Sequence, residues 1–136
     1  MQNTNWKPIK NKHNPLYGIS YEEVLEKVQQ NGVALAYIMD QTPELCLAAV
    51  QKDGYALRYV KEQTPELCMA AVQQNGYALY YVKEQTPEIC LAAVQRNGYI
   101  LQFVKEQTPD ICLAAVQQNE WALQLVWDDF LNLFEQ

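Results

Sequence analysis

Hydrophobic and polar positions repeat along this chain with a period of 22 residues. Four clear units, QTPELCLAAVQKDGYALRYVKE, QTPELCMAAVQQNGYALYYVKE, QTPEICLAAVQRNGYILQFVKE and QTPDICLAAVQQNEWALQLVWD, begin at Gln41, Gln63, Gln85 and Gln107. A more divergent copy, ISYEEVLEKVQQNGVALAYIMD, begins at Ile19. Such a period is typical of proteins in which each unit stacks on its neighbours. The pattern predicts five tandem repeats over residues 19–128, after an irregular segment at 1–18 and before a C-terminal cap at 129–136.

Within one unit, the pattern predicts two short helices. Thr42 suits an N-cap, and Pro43 suits the first helical position, where its missing N–H costs nothing. The first helix is expected to continue to Gly54, which would end it in the left-handed conformation. A second, shorter helix is expected from Tyr55 to about Glu62. The predicted fold is therefore all-α: an α-solenoid of about five helix-turn-helix repeats with a C-terminal capping helix. It would be a right-handed stack of about ten helices, roughly 50 Å long.

A helical wheel separates a buried face from a solvent face in each unit. The predicted buried residues of the first full unit are Leu45, Cys46, Ala49, Val50, Ala56, Leu57 and Val60. The cysteines of all four clear units fall on this face, at Cys46, Cys68, Cys90 and Cys112. Stacking would place them about 10 Å apart, too far for a disulfide and too dispersed for a zinc site. We expect them to be core residues.

The C-terminal end departs from the repeat pattern. Glu120 replaces the turn glycine, so the last helix is expected to run on through the apolar residues that follow it. These residues are Trp127, Phe130, Leu131 and Phe134. They would form a capping helix that seals the final repeat, or alternatively a dimer interface or a docking site for a partner.

Charge and composition narrow the classes of partner. The net charge is −6, the N-terminal stretch is basic through Lys7, Lys10 and Lys12, and no basic stripe follows the repeats. A nucleic-acid-binding protein usually carries such a stripe, so we expect a protein partner rather than direct nucleic-acid binding. No apolar run approaches the roughly 18 residues of a membrane span, and the polar N-terminus is no secretory signal. We expect a soluble, cytoplasmic protein without a membrane partner.

Catalytic residues are sparse. The chain contains one histidine, His13, and one serine, Ser20, which is the expected N-cap of the first repeat. No Gly-rich phosphate loop is present, because every repeat glycine occupies a helix end. We therefore expect no enzymatic activity, no cofactor and no metal.

Two sets of surface residues are candidates for partner binding. The first is a flank of aromatic pairs four residues apart, Tyr55/Tyr59, Tyr77/Tyr81 and Tyr99/Phe103, which would either pack between repeats or form an aromatic groove. The second comprises exposed positions that vary while the frame stays constant: Arg58, Tyr80, Gln102 and Gln124 in one slot, and Lys52, Gln74, Arg96 and Gln118 in another. Variation of this kind individualises a binding surface in solenoids, although neutral drift on a solvated face gives the same pattern.

The frame P-E-[LI]-C-x-x-A-V-x-x-[ND]-G-x-A-L-x-x-V occurs at Pro43–Val60, Pro65–Val82 and Pro87–Val104, with Ile100 replacing the frame's alanine. It resembles a family of short helical repeats known as domain of unknown function 4116. The copy at Pro109–Val126 departs from it at Glu120. The resemblance implies a helical repeat array and implies no activity, cofactor or functional residue.

The function predicted from these patterns is a non-catalytic protein-protein interaction module. Two alternatives remain open at this point. One is a small acidic inhibitor from a phage or another mobile element, which would block a host or defence enzyme. The other is a structural protein that self-assembles as a homodimer through its C-terminal end.

Overall fold

The computed structural model of the protein describes residues 5–135. The first four residues of the predicted N-terminal segment and Gln136 of the predicted cap lie outside this range. Five α-helices alternate with short 3₁₀-helices, and the described residues contain no strand. The α-helices are α1 (Tyr21–Gln30), α2 (Pro43–Lys52), α3 (Pro65–Gln74), α4 (Pro87–Arg96) and α5 (Pro109–Gln118). The 3₁₀-helices are η1 (Gly32–Tyr37), η2 (Gly54–Tyr59), η3 (Gly76–Tyr81), η4 (Gly98–Phe103), η5 (Glu120–Leu125) and η6 (Asp128–Phe134). The predicted all-α repeat is confirmed.

The helices α2, α3, α4 and α5 begin as the Thr-Pro pair predicts. The Thr42 side chain accepts a hydrogen bond from the backbone N–H of Leu45, and Pro43 occupies the first turn. The first repeat uses a different cap, in which Ser20 and Glu23 bond reciprocally to each other's backbone N–H groups. These side chains pair backbone donors that an α-helix leaves free at its start. The expected N-caps at Thr42 and Ser20 are confirmed.

The second element of each unit differs from the expected helix of Tyr55 to about Glu62. It is a six-residue 3₁₀-helix that ends at Tyr59. A glutamine at the start of the unit accounts for this end. The Gln41 amide Nε2 donates to the Tyr59 carbonyl at 2.7 Å, and its Oε1 accepts from the Lys61 N–H at 3.0 Å. The side chain thus pairs two backbone groups, and the chain continues as a turn.

This glutamine clamp recurs in every clear unit. Gln63, Gln85 and Gln107 bond the equivalent carbonyl and N–H groups of their own units at 2.8–3.0 Å. The cysteine of the unit donates its S–H to the same glutamine oxygen, at 3.6 Å for Cys46 and 3.3 Å for Cys112. The clamp therefore ties the start of a unit to its α-helix and to the end of its 3₁₀-helix.

The expected left-handed conformation of Gly54 is wrong. Among the described residues, only Gly18 has a positive φ. The turn is formed by Asp53, which is extended and whose side chain accepts from the Tyr55 N–H at 2.9 Å. Glycine is required at position 54 by close packing, since a Cβ there would lie 2.5 Å from the carbonyl oxygen of Ala71 in the next repeat.

The elements stack in chain order, so that α-helices pack on neighbouring α-helices and 3₁₀-helices on neighbouring 3₁₀-helices. The core runs between these two layers through the whole array. All seven predicted core residues of the first full unit are 0–5% exposed, and Cys68, Cys90 and Cys112 are buried beside the equivalent residues of their units. The predicted buried face is confirmed.

Residues 5–18 form an irregular segment over the first repeat. The Trp6 ring packs edge-on against Tyr21 at a centroid distance of 5.4 Å, and its Nε1 donates to the Asp40 carbonyl at 3.0 Å. Leu16 is also buried, and the Asn14 amide donates to the Tyr37 carbonyl at 2.6 Å. The segment thus covers the N-terminal end of the stack.

The prediction that the last helix runs on without a break is wrong. Val126 and Trp127 are extended, and they separate η5 from η6. The Gln107 clamp holds the Leu125 carbonyl and the Trp127 N–H, each at 2.8 Å, and so ends η5 as it does in the other repeats. The apolar tail folds as a separate 3₁₀-helix that packs against α5.

Candidate interaction surface

The outer side of the 3₁₀ layer carries most of the exposed aromatic residues. Five rings form a continuous chain of edge contacts across three repeats, with centroid distances of 5.1–6.2 Å. We call these five rings the aromatic face. In order of contact they are Tyr55, Tyr81, Tyr80, Phe103 and Tyr77. Aromatic pairs favour such edge-to-face contacts, so the rings hold one another in place. Tyr80 is nevertheless 64% exposed.

The expected pairing of Tyr55 with Tyr59 within one unit is wrong. The Tyr55 ring contacts Tyr81 of the next repeat, and Tyr77 likewise contacts Phe103. A 3₁₀-helix has about three residues per turn, so residues four apart point about 120° away from each other rather than sharing a side. The Arg58 guanidinium lies over the Tyr59 ring, 4.7 Å from the centroid of that ring.

The first variable slot lies on the 3₁₀ layer, and its members Arg58, Tyr80, Gln102 and Gln124 are all exposed. Tyr80 belongs to the aromatic face. Gln102 donates to the carbonyl of Tyr99, which is itself 38% exposed, at 3.1 Å. The slot therefore presents a cation, a phenol and two amides along one side of the array.

The second variable slot lies at the C-terminal ends of the α-helices. Gln74 accepts from the Gly54 N–H at 2.6 Å and donates to the Lys52 carbonyl at 3.3 Å, and Gln118 accepts from the Gly98 N–H at 2.5 Å. These glutamines join adjacent repeats, a role that the sequence pattern did not indicate. Lys52 and Arg96 occupy the same slot and are exposed.

The structure brings members of both predicted sets together at one place. A cavity of about 440 Å³ is lined by residues that include Tyr55, Tyr77, Gln74 and Arg96. The Tyr77 hydroxyl accepts from the Asn97 amide at 2.9 Å and is held at this wall. The cavity borders the aromatic face and adds a cation to it.

The predicted C-terminal set divides between the core and the surface. Phe130, Leu131 and Phe134 are half-buried and pack against the core, whereas Trp127 is 44% exposed. Trp121 and Leu123 lie nearby in sequence and are 61% and 40% exposed. The apolar surface at this end thus comes largely from residues that the sequence analysis did not single out.

A second row of cavities lies at the Thr-Pro turns. The largest has a volume of about 570 Å³ and is lined by residues that include Met39, Cys46 and Lys61, and smaller ones recur at Cys68 and Cys90. The Lys61 amine donates to the Met39 carbonyl at 3.1 Å, and so helps to join two repeats. Because the walls repeat nearly the same residues, this row lacks the individuality of the aromatic face.

The cysteine thiols next to these cavities are poor nucleophiles. Burial raises the pKa of Cys46 and of Cys90 to about 11. Burial also raises the pKa of Cys68, with a further contribution from the charge of Glu84, and burial raises that of Cys112. The thiolate is the reactive form, so these side chains stay protonated at neutral pH.

The part of the chain that the structure describes contains neither a cluster of metal ligands nor a membrane-spanning helix. Within residues 5–135, no three histidine, cysteine, aspartate or glutamate side chains come together as metal ligands would. No helix in that range is long and apolar enough to cross a bilayer.

Comparison with known proteins places the repeats. The family profile described as "Domain of unknown function (DUF4116)" matches residues 42–86 and, one repeat further on, residues 64–108. The two matches overlap by one unit, as expected when a profile spans two repeats. No curated protein and no solved structure matches the chain.

Proposed function

We propose a function from the surface itself, because the repeats of this chain belong to the family described as Domain of unknown function (DUF4116), whose name assigns no activity. The protein is a non-catalytic module that binds a protein partner. The observation that carries this proposal is the aromatic face. It combines an exposed tyrosine, Tyr80, with half-exposed rings and with a cation, Arg96, that lines the adjoining cavity. Tyrosine, tryptophan and arginine dominate the residues that supply binding energy at protein interfaces.

Rigidity supports this choice of surface. The rings contact one another across repeats. The backbone beneath them is fixed by the glutamine clamps and by caps such as Asn75, whose side chain accepts from the Tyr77 N–H. Tyrosine has only two side-chain torsions, so little further entropy is lost when such a surface binds. A pre-formed aromatic surface favours recognition by shape rather than by folding on binding.

Variation of the exposed residues between repeats is the second observation that supports this surface. The outer side of the α-helix layer repeats the same residue at Gln51, Gln73, Gln95 and Gln117. On the 3₁₀ layer, the equivalent exposed slot holds arginine, tyrosine and glutamine in successive units. The chemistry that a partner would meet therefore changes between repeats on the 3₁₀ side and at the slot of Lys52 and Arg96, but not along the row of Gln51.

The test is an affinity capture from the native host lysate, read by mass spectrometry. Wild type is compared with a variant that carries Arg58→Glu, Tyr80→Ala and Arg96→Glu. The matched control carries Gln51→Ala, Gln73→Ala and Gln95→Ala on the opposite layer. Nuclease treatment of the lysate separates direct protein capture from capture through nucleic acid.

The expected result is a protein that wild type and the control retain and that the folded variant with Arg58→Glu, Tyr80→Ala and Arg96→Glu loses. A protein retained equally by all three would move the binding surface away from the aromatic face. Capture that disappears with nuclease treatment would replace a protein partner by a nucleic acid.

A further inference from the structure

Within residues 5–135, no further repeat follows η5 on the 3₁₀ side of the stack. Leu123 is 40% exposed, whereas the equivalent Leu57, Leu79 and Leu101 are 0–1% exposed. Trp121 is 61% exposed, compared with 37% for the equivalent Tyr55. The helix η6 covers part of α5, but a cavity of about 410 Å³, lined by Glu120, Trp121, Leu123 and Gln124, stays open beside η5.

The C-terminal end and the N-terminal segment differ in charge, although the first repeat beneath that segment carries the exposed acids Glu22, Glu23 and Glu26. After Lys105 the chain contains six acidic residues and no basic one, and the acids are Glu106, Asp110, Glu120, Asp128, Asp129 and Glu135. Before Glu22, it contains Lys7, Lys10 and Lys12 and no acidic residue. These three lysines are exposed on the segment that covers the N-terminal end of the stack.

The sign of these charges discriminates between two ways of pairing. A two-fold contact between C-terminal ends would place acidic groups against acidic groups, which opposes association. A contact between a C-terminal end and an N-terminal segment would place lysines against carboxylates. Lysine side chains can also lie over exposed indole rings such as those of Trp121 and Trp127.

The geometry also excludes one occupant, an additional repeat helix. In the internal repeats a glycine allows the next α-helix to approach, and a Cβ at Gly54 would lie 2.5 Å from its carbonyl oxygen. Glu120 occupies the equivalent position in the last repeat. The occupant must therefore be something other than a helix stacked as inside the array.

We propose that the C-terminal end binds the N-terminal segment of a second copy, so that chains associate head to tail. The contact would join the carboxylates and indoles around η5 and η6 to the face that carries Lys7, Lys10 and Lys12. Such a contact does not close on itself unless the rotation forms a ring, so association continues beyond a dimer. This proposal is independent of the partner on the aromatic face.

Sedimentation equilibrium over a range of concentrations tests the assembly. At about 20 mM NaCl we expect the weight-average mass to rise from the 15.7 kDa monomer past the dimer. Raising the salt to about 500 mM shortens the Debye length from about 20 Å to about 4 Å, so we expect the association constant to fall roughly tenfold or more. A monomer at every concentration and both salt levels would overturn the proposal.

A pair of charge-reversed variants tests the direction of the contact. The first carries Lys7→Glu, Lys10→Glu and Lys12→Glu, and the second carries Glu120→Lys, Asp128→Lys and Asp129→Lys. In each variant alone the two proposed contact surfaces carry charges of the same sign, so the variant should remain monomeric, whereas an equimolar mixture should regain the wild-type mass. Lys27→Glu, an exposed change on α1, is the control and should associate as wild type does.

Other modes of association at the C-terminal end would give different results. Self-association of the first variant alone would indicate a contact between C-terminal ends and overturn the head-to-tail assignment. A mixture that stays monomeric, while circular dichroism shows both variants folded, would overturn it as well. Trp121→Ala should weaken association without changing its salt dependence.

Discussion

The internal repeats and the last repeat have nearly the same sequence but differ in what covers them. Thr108 and Gln107 cap and clamp the last unit with the same bonds that Thr42 and Gln41 make in an internal one. Leu123, in contrast, is 40% exposed where Leu79 is fully buried. Local structure is therefore a property of the unit, whereas burial is a property of the junction between units.

The largest expected difference lies at this leucine position. Leu79→Ala should lower the free energy of unfolding by about 2–5 kcal/mol, because it leaves a cavity between two layers. Leu123→Ala removes the same atoms from a site without a following repeat and should cost less than about 1.5 kcal/mol. Urea denaturation followed by circular dichroism measures both, and equal losses would show that the last junction is as well packed as an internal one.

The glycine position should give the next largest difference. Gly54→Ala places a Cβ 2.5 Å from the Ala71 carbonyl oxygen, and we expect the resulting shift of the helix to cost about 1–3 kcal/mol. Glu120→Ala, at the same position of the last unit, should change stability by less than about 0.5 kcal/mol. Thermal unfolding of the two variants beside wild type would contradict this account if Gly54→Ala were neutral.

The glutamine clamp should show no difference between the two regions. Gln63→Ala and Gln107→Ala each remove bonds to one carbonyl and one N–H of the same unit. We expect each to lower the free energy of unfolding by roughly 1–2 kcal/mol, while the exposed Gln73→Ala stays within about 0.5 kcal/mol. A much smaller loss for Gln107→Ala in the same urea titration would mean that the clamp too depends on a following repeat.

The smallest expected difference between the two regions is in the reactivity of their thiols, and measuring it leaves the fold intact. All four cysteines are buried with a raised pKa, so iodoacetamide at pH 8 should modify them only when a repeat opens. Terminal repeats open at lower free energy than internal ones, so Cys112 should react several-fold faster than Cys68. Peptide mass spectrometry of timed samples measures the rates, and fully equal rates would indicate that the array opens only as a whole.

The same thiols predict a direction for pH. Burial raises the pKa of Cys46 and of Cys90 to about 11, above the ordinary thiol value of about 8.5. The folded chain therefore keeps these protons to higher pH than the unfolded chain does. Their contribution to stability is complete below about pH 8.5 and is lost as the pH rises towards about 11. Replacing Cys46 and Cys90 by alanine should reduce the fall in the free energy of unfolding between about pH 8.5 and about pH 11.

The sequence sufficed for the features that one unit encodes by itself. The Thr-Pro start at Pro43 and the buried set around Leu45 follow from capping preferences and helical periodicity. The 3₁₀ form of the second element could not be predicted, because six residues contain too few turns to separate a period of three from one of 3.6. The wrong pairing of Tyr55 with Tyr59 followed directly from that ambiguity.

Contacts between residues far apart in sequence, within one unit or between units, were the other source of missed or wrong predictions. Gln41 resembles any polar loop residue until its amide is seen between the Tyr59 carbonyl and the Lys61 N–H. Because glycine commonly ends helices, the sequence predicts a left-handed turn at Gly54, whereas its role is to admit the helix of the following repeat. For the candidate surface, the sequence identified Tyr80 and Arg96 as exposed and variable, but their proximity to aromatic rings of adjacent units required the stack.

The exchange of glycine for Glu120 limits how such an array can change in length. Each internal unit carries both halves of a junction, the small residue that admits the next helix and the helix that is admitted. Unequal recombination between two internal units would therefore yield a longer or shorter array with every junction intact. The last unit is excluded from that exchange, since a copy of it placed inside the array would bring a glutamate against the following helix. A unit with glutamate in place of this glycine therefore fits only where no repeat helix follows it.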